Sequence, residues 1–366
     1  MQEQTMASQS IDMKTLLLLI TMPLIAVASA NQTPLVFGTE NGTMWRCDRT
    51  DANSCATFNT ASSPMNTTAM ANGYIYTGMG NGVMWRCDPN NANASDTFNA
   101  LKSSINVLIL ANAYIYAGLE NGEMWRCDPD NANACAKLNT LGSPLKSLLR
   151  ANGSIYAGLN NGEMWRCDPD NANGCAKLNS LTFPITSLVM TNGYVFATAG
   201  SLWRCDPNST NACSVFDKFI SIAQTATVAA DGNIYVGLNR TSVYRCSPST
   251  PNSCSNLMGN GNSLPVRALA SADGYLYIGL GTSYNSSGAF YRCSLPTPTN
   301  PTTCEVLYNS GSAVTYAGNG SAVTQIAIPY DTTSLEPTYV GEDTACVWQN
   351  GYRNLICPPF VEYLDK

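Results

Sequence analysis

A Trp-Arg-Cys tripeptide returning about every 40 residues, paired Asn-Gly turn signals, and the lack of a sustained 3.6-residue apolar period predict an all-β chain. The fold class is a β-propeller of four-stranded antiparallel blades. The tripeptide starts at Trp45, Trp85, Trp125, Trp165 and Trp203 and continues as Tyr-Arg-Cys at Tyr244 and Tyr291, in steps of 40, 40, 40, 38, 41 and 47 residues. Such a period marks an array of supersecondary units, none able to bury its apolar face alone.

The best-kept unit runs from Ala151. Asn152-Gly153 and Asn161-Gly162 suit the positive φ of a type I′ turn, so each marks a hairpin. Ile155, Tyr156 and Ala157 between them have strand character, and residues 164–167 form the next strand. Pro169 removes a donor and the surrounding Asp and Asn residues favour local turns, so Asp-Pro-Asp-Asn-Ala-Asn reads as a loop. Residues 176–178 make a short strand, and 185–190 a longer one that leads into the next unit. The unit resembles WD40 and kelch blades in size and strand order. It lacks their Gly-His…Trp-Asp and Gly-Gly signatures, so the resemblance implies a fold and no particular function.

Second-to-third strand pairs begin near Val36, Tyr74, Tyr114, Ile155, Val195, Ile234 and Tyr275. Tyr339-Val340-Gly341, followed by Cys346 and Cys357, reads as a degenerate eighth copy. The first copy lacks an inner strand, and residues 359–364 are placed to supply it and close the ring. Eight blades are expected, with seven plus a terminal extension as the alternative.

Residues 1–30 read as a leader and signal peptide. Met13 and Lys14 precede an apolar run over 16–27, which ends in Ala28-Ser29-Ala30. That run is shorter than the roughly 20 residues a spanning helix needs. Residues 31–366 are then a single propeller domain, and the expected location is secreted, periplasmic or cell-surface. Net charge is −6 with no basic run, which argues against nucleic acid as partner. The chain has no His, which excludes Ser-His-Asp and Cys-His nucleophiles and His-ligated metals. No cofactor is expected.

The 15 cysteines set the compartment. Cys47/Cys55, Cys127/Cys135, Cys167/Cys175, Cys205/Cys213 and Cys246/Cys254 are each 8 apart, and Cys293/Cys304 and Cys346/Cys357 are 11 apart. Zinc sites favour cysteines two to four residues apart, so one bridge per repeat, formed under oxidising conditions, is expected. Cys87 is left over because Ser95 stands at its partner position. It is expected as a buried thiol in a monomer, with a Cys87-linked dimer as the alternative.

The Trp of each repeat is expected to pack between blades. Arg46, Arg86, Arg126, Arg166, Arg204, Arg245 and Arg292 follow those aromatics. Two residues after the first five stand Asp48, Asp88, Asp128, Asp168 and Asp206, predicting an Arg–Asp pair that ties one blade to the next. The Asp-Pro-Asp-Asn loops offer oxygens to calcium but lack EF-hand spacing, so Asx turns are expected there. Sequons at Asn31, Asn41, Asn66, Asn93, Asn152, Asn208, Asn239, Asn285 and Asn319 are no more frequent than the Asn, Ser and Thr content produces.

The expected function is binding of a protein or glycan ligand. The face made by second-to-third strand turns and blade-to-blade links is where near-identical copies differ in charge. Glu40, Glu120, Glu123, Glu163, Lys102 and Lys146 are the candidate ligand-binding residues. A carbohydrate-active enzyme using paired carboxylates, or a structural surface protein, are the other readings.

Overall fold

The computed structural model describes residues 35–48, 51, 54–240, 242–259, 264–281, 288–295, 304–309, 323–327, 347–349 and 354–356. The signal-peptide reading, Cys346, Cys357, residues 359–364 and Tyr339-Val340-Gly341 all lie outside them. No helix among the described residues is long and apolar enough to cross a membrane.

The unit Thr33–Lys366 is a β-propeller. Among the described residues there are seven four-stranded antiparallel sheets, six of them built from consecutive strands. From the centre outwards, blade 2 is Met65–Ala71, Tyr74–Met79, Val83–Cys87 and Ser95–Ala100. Blade 3 is Ile105–Ala111, Tyr114–Leu119, Glu123–Cys127 and Cys135–Thr140, and blade 4 is Leu145–Ala151, Ser154–Leu159, Glu163–Cys167 and Cys175–Ser180. Blade 5 is Ser187–Thr191, Tyr194–Ala199, Ser201–Cys205 and Cys213–Asp217. Blade 6 is Ala223–Val228, Ile234–Leu238, Ser242–Cys246 and Ser255–Gly259. Blade 7 is Val266–Ala272, Tyr275–Gly281, Gly288–Ser294 and Cys304–Asn309.

Blade 1 corrects the expected count of eight. Its second to fourth strands are Leu35–Thr39, Thr43–Cys47 and Ala56–Thr60, and its inner strand is Val323–Ala327, from the other end of the chain. Val36 faces Ala327 and Phe37 faces Ile326 in antiparallel register. The inner strands of blades 7 and 2 both neighbour Val323–Ala327, so the ring closes at seven and leaves no open edge between its ends. Beyond the ring, Val347–Gln349 and Asn354–Ile356 pair as a two-stranded hairpin rather than as a blade.

Packing explains the strand sequences. The second strand of each blade is covered on both sides by its neighbours, so Tyr114–Leu119 is buried at every position from Ile115 to Leu119. Its Ala-Gly step allows the blades to approach: a Cβ on Gly118 would lie 2.8 Å from Leu145 Cβ of blade 4. The third strand alternates, burying Met124 and Cys127 while Trp125 and Arg126 stay half-buried. At the tight turn before the third strand of blade 4, Gly162 has φ +84°, and a Cβ there would lie 2.2 Å from the Leu181 carbonyl oxygen.

Seven apolar clusters fill the seven seams between blades. Tyr76, Met84 and Phe98 of blade 2 meet Ile105, Ile115 and Leu119 of blade 3. The closing seam joins Leu35 and Phe37 to Tyr277, Phe290 and Leu307, with the Phe37 and Phe290 rings 4.7 Å apart. No blade has a core of its own, which is why the unit repeats.

Candidate functional site

Antiparallel strands give the ring two faces. One carries the second-to-third turns and the blade-to-blade links, and the other carries the first-to-second turns and the third-to-fourth loops.

On the loop face, the third and fourth strands are clipped by a bridge in every blade but blade 2. Cys47–Cys55, Cys127–Cys135, Cys167–Cys175, Cys205–Cys213, Cys246–Cys254 and Cys293–Cys304 are bonded. Cys87 is a buried free thiol that accepts a short contact from the Ser95 hydroxyl, which is in turn bonded by Asn59 of blade 1. Burial pushes the Cys87 thiol up to about 11.

The expected Arg–Asp pair takes another form. The Asp two residues on has already left the strand, and its carboxylate closes its own loop: Asp128 accepts from the Asp130 amide at 3.0 Å and Asp168 from the Asp170 amide at 2.9 Å. These are the Asx turns expected of the loop sequence. The arginine instead reaches the loop of the following blade. Arg126 Nη1 donates to the Pro169 carbonyl at 3.1 Å and lies 3.7 Å from Asp170. Tyr116 hydroxyl donates to the same carbonyl at 3.1 Å. Tyrosines at the start of the second strand stack on these guanidinium groups: Tyr74 on Arg86 at 4.9 Å, Tyr114 on Arg126 at 4.8 Å and Tyr194 on Arg204 at 4.8 Å. The loop face is therefore the tie between blades.

The link face holds the candidate ligand-binding residues. Lys146, near the start of the inner strand of blade 4, donates to Glu120 of blade 3 at 2.8 Å, and Asn106 donates to the same carboxylate at 2.6 Å. Burial acts to raise Glu120, but these two partners outweigh it and hold its carboxyl below the ordinary value. Glu123 and Glu163 are placed differently. Each accepts the indole N–H of the Trp two residues on, at 3.0 and 3.1 Å, and pairs with Lys137 or Lys177 of the fourth strand at 3.2 Å. They orient Trp125 and Trp165, which pack against the seam clusters as expected. Lys102 is exposed on the link into blade 3, and Glu40 opens the second-to-third turn of blade 1. Glu120 and Lys146 are thus brought together, while Glu123 and Glu163 face outwards along their own blades.

The same face carries apolar residues that motif counting does not single out. Phe183 is 54% exposed, Ile220 95% and Ile222 52%, and with Phe219 they surround Gly200. The cause is a shortened turn. Blades 3 and 4 use Glu120-Asn121-Gly122 and Asn160-Asn161-Gly162 here, whereas blade 5 turns at Gly200 alone. Phe183 also replaces the buried Ser143 of the preceding link and lies over Gly200, 2.8 Å from where a Cβ would stand. The signal in the sequence is the 38-residue step from Trp165 to Trp203.

No protein-family model and no curated protein matches the chain. Among solved structures the chain is similar to the computationally designed protein Ika8, at 13% identity and a TM-score of 0.52, with 68% of this chain and 78% of that chain covered. It is also similar to a chain of a nidogen/laminin complex, at 12% identity and a TM-score of 0.48, with 59% and 89% covered. At 13% identity the likeness to Ika8 is one of fold alone.

Proposed function

We propose that the protein is an exported binding module that holds a protein ligand on its link face. The carrying observation is the exposed apolar cluster of Phe183, Ile220 and Ile222 around the shortened turn at Gly200. Burying one such side chain against a partner contributes roughly 1.5–3 kcal/mol, and a contiguous apolar patch with a polar surround marks interaction surfaces. Lys102, Glu40 and the Lys146–Glu120 pair supply charge on the same face, where they would orient the ligand more than hold it. Six bridges support export, since they persist only in an oxidising compartment.

The paired-carboxylate enzyme needs one acid held protonated at its working pH. Burial raises Glu120, Glu123 and Glu163, but their lysine, amide and indole partners outweigh it and hold all three low. Ion-paired carboxylates suit recognition better than proton donation.

The test is a binding screen of the purified chain against extracellular proteins, repeated with Ile220→Asp and with Asp96→Asn on the outer strand of blade 2. A ligand that loses at least about tenfold in affinity with Ile220→Asp, the size of one buried side chain, and none with Asp96→Asn supports the reading. Ligands indifferent to Ile220→Asp would refute it.

A further inference from the structure

Blade 4 departs from its neighbours at one place on the loop face, and an open recess of about 420 Å³ lies there. Asn152, Gly153, Ser154, Arg166, Asp168 and Gly174 line it. The residue opening the second strand is Tyr74 in blade 2, Tyr114 in blade 3, Tyr194 in blade 5 and Tyr275 in blade 7, and each ring lies 4.8–4.9 Å from the arginine of its own blade. In blade 4 that residue is Ser154. Arg166 therefore keeps its bond to the Pro207 carbonyl at 3.1 Å but has no ring over its face.

Its ionic partner is missing as well. Arg126 lies 3.7 Å from Asp170 of the following loop, but the equivalent residue facing Arg166 is Asn208. Blade 6 also lacks the tyrosine, with Asn233 in its place, yet there Asp231 lies 3.2 Å from Arg245. In blade 1 the equivalent of Ser154 is Pro34, outside the described residues. Across blades 2 to 7, Arg166 alone has neither an aromatic ring nor a carboxylate. It is exposed where Arg86, Arg126 and Arg204 are half-buried.

We propose that this recess is a second binding site, which takes the phenol ring of a tyrosine side chain from a peptide ligand. The other blades supply the template, because a tyrosine ring occupies the corresponding space in four of them. A guanidinium face attracts an aromatic ring through its quadrupole. Asp168, at the same recess, offers an acceptor for a phenol O–H, which favours tyrosine over phenylalanine. Gly174, where blades 2 and 3 have Ala94 and Ala134, also lines the recess. The site lies on the face opposite to Phe183 and Ile220, so it stands or falls independently of ligand binding there.

Ser154 also completes the sequon at Asn152, so the test uses chain from a host without N-glycosylation. N-acetyl-L-tyrosinamide is titrated into isotopically labelled protein while the Arg166 side-chain N–H and the Gly153 and Gly174 amides are followed by NMR. Saturable shifts at these groups are expected, with N-acetyl-L-cyclohexylalaninamide binding about fivefold more weakly for want of a π face. Ser154→Tyr should fill the recess from within and abolish the shifts, as should Arg166→Gln, which leaves the turn unchanged. Absence of saturable shifts in the parent, equal binding by the cyclohexyl probe, or unaltered binding in both variants would overturn the proposal.

Discussion

Replacing Ser95 with Cys should install the bridge that blade 2 lacks. Cys87 and Ser95 are direct cross-strand partners, in the register that Cys127 and Cys135 occupy in blade 3. Backbone movement is therefore not required. The chain-entropy relation for a loop of about eight residues gives roughly 2.5 kcal/mol of stabilisation. The change also removes the Ser95 hydroxyl to which Asn59 donates. Losing that bond costs about 1 kcal/mol, although Asn99 and Asn139 occupy the equivalent position beside bridged blades and stay buried. The net gain is roughly 1.5–2.5 kcal/mol, which for a unit of this length raises the unfolding temperature by about 3 °C. Scanning calorimetry of the parent and Ser95→Cys chains, with peptide mapping to confirm the bond, measures it. Thiol labelling followed by peptide mapping should find Cys87 reactive in the unfolded parent and unreactive in the folded parent. A bonded variant with an unchanged or lowered unfolding temperature would refute the view that these short clips stabilise the blades. A folded parent whose Cys87 reacts at once, or links two chains, would refute its burial.

Other perturbations follow from the ties between blades. Arg126→Gln should cost about 1–2 kcal/mol, from the Tyr114 stacking and the Pro169 bond together, and Arg166→Gln about 0.5–1 kcal/mol less because no ring is lost; urea midpoints would show equal losses if stacking contributes nothing. Gly162→Ala puts a Cβ onto the Leu181 carbonyl at positive φ, and a loss of about 2 kcal/mol or more is expected in the same assay. Because the Cys87 thiol is raised to about 11, the unfolded chain releases a proton above about pH 8.5 that the folded chain keeps. Stability should therefore fall as pH rises toward 11, and Cys87→Ala should flatten part of that fall; parallel pH profiles would contradict it. Glu120, Glu123 and Glu163 act at the other end. Partners that outweigh burial hold them low, so their contribution is present above the ordinary carboxylate pKa and is lost on further acidification.

The blade is legible in the sequence because its signals are local. Asn152-Gly153 and Asn161-Gly162 close hairpins, Ile155, Tyr156 and Ala157 have strand character and lie within the buried strand Ser154–Leu159, and the eight-residue cysteine spacing spans one loop. Ring closure is not local. Counting second-to-third strand motifs registers Tyr339-Val340-Gly341 as another copy, although the inner strand of blade 1 had already been supplied by Val323–Ala327, which carries no such motif. The Arg–Asp expectation failed for a related reason. Side chains at i and i+2 share a face only while the strand continues, and it ends at Cys127, before Asp128. The apolar cluster and the bare Arg166 are legible only as departures from the repeat: a turn two residues short at Gly200, and a serine where neighbouring blades place tyrosine.

The seven-bladed ring fixes both faces, and a cross-link tests it most directly. Val36 and Ala327 are register partners across the closing pair. In a chain carrying Val36→Cys and Ala327→Cys, mild oxidation should yield a monomer in which peptide mapping joins positions 36 and 327. The six bridges of blades 1 and 3 to 7 should remain intact. No bond between those positions in a chain that otherwise keeps its β-sheet spectrum, or a bond formed only between molecules, would contradict closure by Val323–Ala327.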